Sequence, residues 1–77
     1  MDTNISKIIR LHRKKSGLTQ VELAELAGVG KNMVHGIEKG HLSVQFNNLL
    51  KILAVLNIHI EYSSPLMKLI KVDEIDK

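Results

Sequence analysis

The 77-residue sequence contains no cysteine and no tryptophan, and only one phenylalanine, one tyrosine and one proline. Without cysteine the chain forms neither a disulfide nor a cysteine-based zinc site, which are two common ways to stabilise a small domain. No apolar run approaches the ~20 residues that a membrane-spanning helix needs, and the first residues lack the pattern of a secretory signal. We therefore expect a cytoplasmic protein with no membrane partner.

The residues that could carry catalytic or metal chemistry also lack the spacing that such chemistry requires. The four histidines match no metal-binding motif. Residues 28–30 read Gly-Val-Gly but follow a helical pattern rather than a strand, which is not the context of a nucleotide-binding loop. No set of serine, histidine and acid has an evident pocket in a chain this short. We predict no metal, no cofactor and no enzymatic activity.

The charge of the chain is distributed unevenly along its length. The formal net charge is +3, with basic residues concentrated at 10–15 and acidic residues at 73–76. This asymmetry fits a nucleic-acid surface at one end and a solvated tail at the other. A basic run of this size is more often an ordinary solvated face, so charge alone does not decide the function.

Hydrophobic spacing predicts four helices, at about residues 4–15, 19–27, 30–38 and 44–56, with Ser43 as the N-cap of the last. After residue 57 the spacing changes to strict alternation, which predicts a β-strand over 58–62. A lone strand leaves its backbone groups unpaired, so we expect it to pair antiparallel with the same strand of a second copy. The fourth helix carries a second apolar stripe that would join this interface, and the predicted dimer residues are Ile52, Val55, Leu56, Ile58, Ile60 and Tyr62.

The second and third predicted helices have the pattern of a helix-turn-helix. Thr19 and Glu22 form a capping box, Ala24 is small enough for close helix contact, and Gly28 suits the tight turn. The inner faces are apolar, at Leu23, Leu26, Ala27, Val29, Val34 and Ile37. Gly36 inside the third helix costs about 1 kcal/mol relative to alanine and is the weakest point of this interpretation.

The stretch LTQVELAELAGVGKNMVHGIEKG, residues 18–40, resembles the phage repressor and Cro-type helix-turn-helix family, also called xenobiotic-response-element-type regulators. With the strand at 58–62 the chain looks most similar to HipB-type antitoxins, which autorepress toxin–antitoxin operons. The resemblance implies a mainly α fold: a repressor-like four-helix helix-turn-helix domain followed by one β-strand that pairs across a homodimer. That domain would span residues 1–63, and residues 64–77 would be a tail with a short helix and a disordered end from Asp73.

The resemblance also implies roles for individual residues. Base reading would fall to the start of the third helix, at Lys31, Asn32, Met33 and His35. Phosphate contacts would come from Lys14, Thr19, Gln20, Gly30 and Lys39. Arg13 and Glu38 match a structural ion pair, although two exposed charges would be worth little. Lysine donates to guanine and asparagine pairs with adenine, so the side-chain chemistry agrees with base readout.

Two functions remain open at this point. The first is a sequence-specific transcriptional regulator that autorepresses its own operon from inverted-repeat operator DNA, as the antitoxin of a toxin–antitoxin pair. The alternative is a protein-interaction module whose main role is to bind a toxin or another effector protein, with DNA binding secondary. The tail at residues 64–77 discriminates between them, because a partner that contacts it favours the alternative.

Overall fold

A computed structural model describes residues 4–75, apart from the side chain of Val72. Four helices form the body of this part: α1 (Ile5–Lys15), α2 (Gln20–Ala27), α3 (Lys31–Glu38) and α4 (Phe46–Val55). A short 3₁₀ turn, Met67–Leu69, and a one-turn helix, α5 (Val72–Ile75), follow them.

The ends of α2 are encoded in the sequence and account for the tight turn between α2 and α3. The predicted capping box is confirmed: the Thr19 hydroxyl accepts from the Glu22 N–H at 3.0 Å, and the Glu22 carboxylate accepts from the Thr19 N–H at 2.8 Å. At the other end of α2, Gly28 adopts φ +72°, a left-handed conformation that glycine reaches without steric cost. The chain therefore turns sharply and enters α3 two residues later.

The ends of α1 and α4 only partly follow the sequence expectation. The Asn4 side chain caps α1 by accepting from the Ser6 N–H at 2.9 Å. The predicted cap of α4 at Ser43 is wrong, because α4 begins after Gln45, whose side chain makes no capping bond. The predicted left-handed stop at Asn57 is confirmed, since its φ is +59°.

The core lies where α2 meets α3 and α4, and α1 closes it by packing against α3. Ala24, in the middle of α2, is 2% exposed, so its small side chain lets the neighbouring helices approach. Most other buried side chains are aliphatic, as the composition predicts: Ile9, Leu23, Ala27, Val34, Ile37, Ile52, Leu53 and Leu56. This packing fixes α3 from its inner side and leaves its outer side to solvent.

The predicted β-strand at Ile58–Tyr62 is wrong. Residues 58–65 have no regular secondary structure, and there is no strand anywhere in residues 4–75. The alternating residues do not share one buried face: Ile58 packs on the core, whereas Ile60 is 40% and Tyr62 is 75% exposed. Five alternating residues are too short a pattern to specify a strand when no neighbouring strand supplies backbone partners.

The assignment of the two faces of α4 is also wrong. Ile52 and Leu56, predicted at a dimer interface, are buried in the core of the single chain, and Val55 is half-buried against it. The neighbouring apolar stripe of α4 is only partly buried, since Phe46 and Leu50 are exposed whereas Leu53 is buried. Both stripes are equally apolar, so hydrophobicity did not reveal which of them faces α2.

Two further expectations need correction. Leu26 was predicted to lie on the inner face of α2 but is 64% exposed, so the buried face of α2 excludes it. In the tail, residues 73–75 were predicted to be disordered, yet they belong to α5, whose Glu74 side chain accepts from the Lys71 N–H at 2.9 Å. The rest of the predicted disordered segment, residues 76–77, lies outside the described residues.

Candidate nucleic-acid interface

The exposed side of α3 carries three of the four residues that were predicted to read bases. Lys31, Asn32 and His35 are exposed, whereas Val34 and Ile37 on the opposite side are fully buried. Residues 31 and 35 are four apart and therefore neighbours on one helix face, with Asn32 beside them. This face presents an ammonium, an amide and an imidazole, all of which can hydrogen-bond the edges of base pairs in a major groove.

Two other positions of α3 contribute less to this face. Met33, also predicted to read bases, is half-buried and packs against the core. Gly36 leaves space: a Cβ atom there would meet only His41, at 3.7 Å, which is ordinary van der Waals contact. The glycine is therefore not required by packing inside the chain, and any need for it must come from the outer surface.

The residues predicted to contact phosphate lie at or next to the ends of helices. Thr19 and Gln20 stand at the start of α2, Gly30 caps α3 through its backbone, and Lys39 is exposed just after α3 ends. Lys14 is exposed in the last turn of α1. Helix N-termini attract phosphate because their first N–H groups are unpaired and the helix dipole is positive there. Exposed lysines add affinity that does not depend on sequence.

An ion pair ties α1 to the end of α3. Arg13 Nε donates to Glu38 Oε2 at 2.6 Å and Arg13 Nη2 donates to Glu38 Oε1 at 3.0 Å, while Arg13 Nη1 donates to the Leu18 carbonyl at 2.8 Å. The two side chains are only 11% and 3% exposed. Two parallel bonds between guanidinium and carboxylate are a strong and directional arrangement, so the pair holds the end of α3 against α1.

Burial and hydrogen bonding act in opposite directions on Glu38. Burial alone would raise the pKa of its carboxyl, but hydrogen bonds from Arg13 and Gln20 and the charges of Arg13 and Arg10 outweigh it, and the pKa lies below its ordinary value. The hydrogen bond to Glu38 raises the pKa of Arg13 in turn. Glu38 is therefore ionised at neutral pH and acts only as a hydrogen-bond acceptor.

A series of side-chain contacts, here called the polar chain, leads from this ion pair through Gln20 to His35 on the surface of α3, and the sequence did not reveal it. Gln20 Nε2 donates to Glu38 Oε1 at 3.1 Å, and Gln20 Oε1 lies 3.3 Å from His35 Nδ1. These residues are 18 and 15 positions apart in the chain, so no local spacing could have indicated the contacts. The second hydrogen of the Gln20 amide has no partner among residues 4–75 and is available for the phosphate contact that was predicted for it.

The described part of the chain offers no competing site for a metal ion. Among residues 4–75, no three residues of the types His, Cys, Asp and Glu lie close enough together to hold one. Within the same residues, every helix is too short or too polar to cross a membrane.

Comparison with known proteins assigns the chain to a family. Residues 9–63 match the model of the helix-turn-helix family. Two similar proteins are named as transcriptional regulators. The uncharacterized HTH-type transcriptional regulator y4mF of Sinorhizobium fredii is 34% identical over 62 residues, which is 80% of this chain and 82% of the relative. An uncharacterized HTH-type transcriptional regulator of Methanothermobacter thermautotrophicus is 53% identical over 36 residues, or 47% of this chain and 52% of that protein.

Fold, surface and relatives agree on the class of protein: it is a DNA-binding transcriptional regulator. More narrowly, the chain belongs to the phage repressor and Cro-type helix-turn-helix family, as the resemblance of residues 18–40 predicted.

Proposed function

We propose that the protein is a sequence-specific, non-enzymatic repressor that binds an inverted-repeat operator as a homodimer and silences its own promoter. The observation that carries this proposal is the exposed face of α3, where Lys31, Asn32 and His35 stand side by side over a buried inner face. Three base-reading side chains specify only a few base pairs. Two copies about 34 Å apart would double that number and enter successive major grooves.

The proposed dimer forms through side chains of α4 and the segment after it, without any strand. Phe46, Leu50, Ile60 and Tyr62 are between 38% and 75% exposed, and they line one groove of about 360 Å³. An exposed cluster of large apolar side chains around one groove favours an interaction site. We propose that the same surface of a second copy covers this groove, since a two-fold interface uses the same patch on both subunits.

A charged side chain introduced into the groove tests whether this dimer forms. Leu50→Glu should weaken the dimer at least tenfold in analytical ultracentrifugation and should lower operator affinity together with it, because a buried unpaired carboxylate is costly. Leu11→Glu is the matched control, since Leu11 is similarly exposed but lies on α1. A Leu50→Glu protein with unchanged mass and affinity would contradict this interface.

The antitoxin role is the finer part of the proposal, and the tail supports it. Leu66, Leu69, Ile70 and Ile75 are all exposed and none packs on the core, which leaves an apolar surface outside the DNA-binding body. We propose that a toxin protein covers it. If an adjacent reading frame encodes that toxin, co-expression should relieve its toxicity, and Leu69→Asp should abolish the relief while operator binding persists. Relief that survives Leu69→Asp would separate toxin binding from the tail.

Operator binding is tested on the DNA upstream of the reading frame. Fluorescence anisotropy with that DNA and with a shuffled duplex should give at least a thousandfold difference in affinity at physiological salt. A promoter reporter should fall when the protein is expressed and recover with Asn32→Ala. Equal affinity for both duplexes would reject sequence-specific repression.

A further inference from the structure

The polar chain that ends at His35 determines which nitrogen of the imidazole carries a proton. Glu38 is ionised and accepts only, so the amide that faces it at 3.1 Å must present its NH₂ group. The carbonyl oxygen of Gln20 then necessarily faces the other way, toward His35 Nδ1 at 3.3 Å. A carbonyl oxygen is also an acceptor only, so Nδ1 must be the donor in this contact.

A neutral imidazole with its proton on Nδ1 has an unprotonated Nε2, which is a hydrogen-bond acceptor. Nε2 is the distal nitrogen of an exposed side chain on the outer face of α3, and none of residues 4–75 forms a hydrogen bond with it. In a major groove, an acceptor at this place pairs with an amino group. Adenine N6 and cytosine N4 carry such groups, whereas guanine and thymine present acceptors there.

We propose that Gln20 is a positioning residue that holds neutral His35 in the Nδ1–H tautomer and thereby makes His35 a reader of adenine or cytosine amino groups. This inference rests on the proposed operator binding only in its second half. The first half concerns the free protein, because Arg13, Glu38, Gln20 and His35 form the chain without DNA. The buried ion pair orients the Gln20 amide, and the amide in turn selects the tautomer of His35.

The tautomer is measured directly by long-range ¹H–¹⁵N correlation spectra of the histidine rings at about pH 8, where an unperturbed imidazole is neutral. His12 is an internal reference, because its Nδ1 lies 2.7 Å from the Ile8 carbonyl and must also donate. We expect the Nδ1–H pattern for both rings. In Gln20→Met, which keeps the side-chain volume but removes the amide, His35 should shift toward the Nε2–H pattern while His12 stays unchanged.

Gln45→Ala is the matched control for this measurement, since Gln45 is exposed and its side chain makes no capping bond. It should leave the His35 spectrum as in the unaltered protein. An Nε2–H pattern for His35 in the unaltered protein, or an Nδ1–H pattern that survives Gln20→Met, would overturn the proposal. Because no DNA is present, failure to find an operator would overturn the proposed function without altering this result.

Base selectivity tests the second half. With every base pair of the operator substituted in turn, one position should favour adenine or cytosine by roughly three- to tenfold, as expected for one neutral hydrogen bond. His35→Ala and Gln20→Met should each reduce that preference toward unity, and the double variant should reduce it no further. If Gln20 only contacts phosphate, Gln20→Met weakens all duplexes equally and the preference persists, which would overturn the positioning role.

Discussion

Removing the carboxylate of Glu38 should be the most damaging single change to a charged side chain of the body. Glu38→Ala deletes two bonds from Arg13 and one from Gln20. Among residues 4–75, the Arg13 side chain, which is 11% exposed, then keeps only the Leu18 carbonyl as a hydrogen-bond partner. Breaking a buried ion pair costs about 3–5 kcal/mol. The bond to Leu18 survives, so we expect the lower end, about 3 kcal/mol.

That loss is large for a chain of this length. Domains are stable by roughly 0.05–0.15 kcal/mol per residue, which amounts to about 4–12 kcal/mol here. At roughly 4–8 °C per kcal/mol for domains of this size, the Tm should fall by about 12–24 °C. Glu25→Ala, at an exposed glutamate of α2 that forms no side-chain hydrogen bond within the described residues, should change stability by less than about 0.5 kcal/mol.

A double-mutant cycle with Arg13→Met and Glu38→Ala isolates the interaction, because methionine keeps most of the packing of the arginine stem. Urea unfolding followed by circular dichroism gives the four free energies of unfolding. We expect a coupling energy of about 2 kcal/mol or more, above the ~0–1 kcal/mol of a surface pair. A coupling energy near zero would refute the inference that the pair fixes α3.

We make four further predictions, three for residues of α3 and the residue after it and one for the pH dependence of the ion pair. Asn32→Ala should cost about 1–3 kcal/mol on the operator and little on unrelated DNA, and equal losses in anisotropy on both would exclude base reading. Lys39→Ala should weaken all duplexes similarly and reduce the slope of log affinity against log salt by about one, whereas an unchanged slope would exclude a phosphate contact. Gly36→Ala should raise the free energy of unfolding by up to about 1 kcal/mol, since its Cβ fits; if operator affinity falls as well, the glycine serves close approach to DNA, and undiminished affinity would exclude that role. The pKa of Glu38 is lowered on folding, so its stabilising contribution is present above the unfolded value of about 4.3 and is lost as pH falls through the folded value. The stability difference between the unaltered protein and Glu38→Gln should therefore shrink on acidification below pH ~4, and a constant difference in urea titrations would contradict the assigned cause.

The helix-turn-helix itself was predictable because its signals are local. A capping box, a left-handed glycine and a small residue at the crossing each act within a few positions, and Thr19, Gly28 and Ala24 stand where the motif needs them. The exposed face of α3 follows from the same spacing, since Val34 and Ile37 mark the buried side. Three of the four proposed base readers, all but Met33, are fully on that face.

The remaining features depend on contacts that are distant in sequence. Both faces of α4 are apolar, and only the position of α2 decides that Ile52 is buried and Leu50 is exposed. The alternation at 58–62 has the period of a strand, but a strand also needs a neighbour, which a period cannot supply. The link from Gln20 to His35 joins side chains of two helices whose crossing angle the sequence does not state.

The outer face of α3 and the start of α2 should form the surface that contacts DNA. Backbone amide shifts of the ¹⁵N-labelled protein, recorded with and without the duplex from its own promoter, test this most directly. We expect the largest changes at Gln20, Lys31, Asn32 and His35, and small changes around Phe46. Changes that concentrate around Phe46, or that spread evenly over the exposed lysines with both promoter and shuffled DNA, would contradict it.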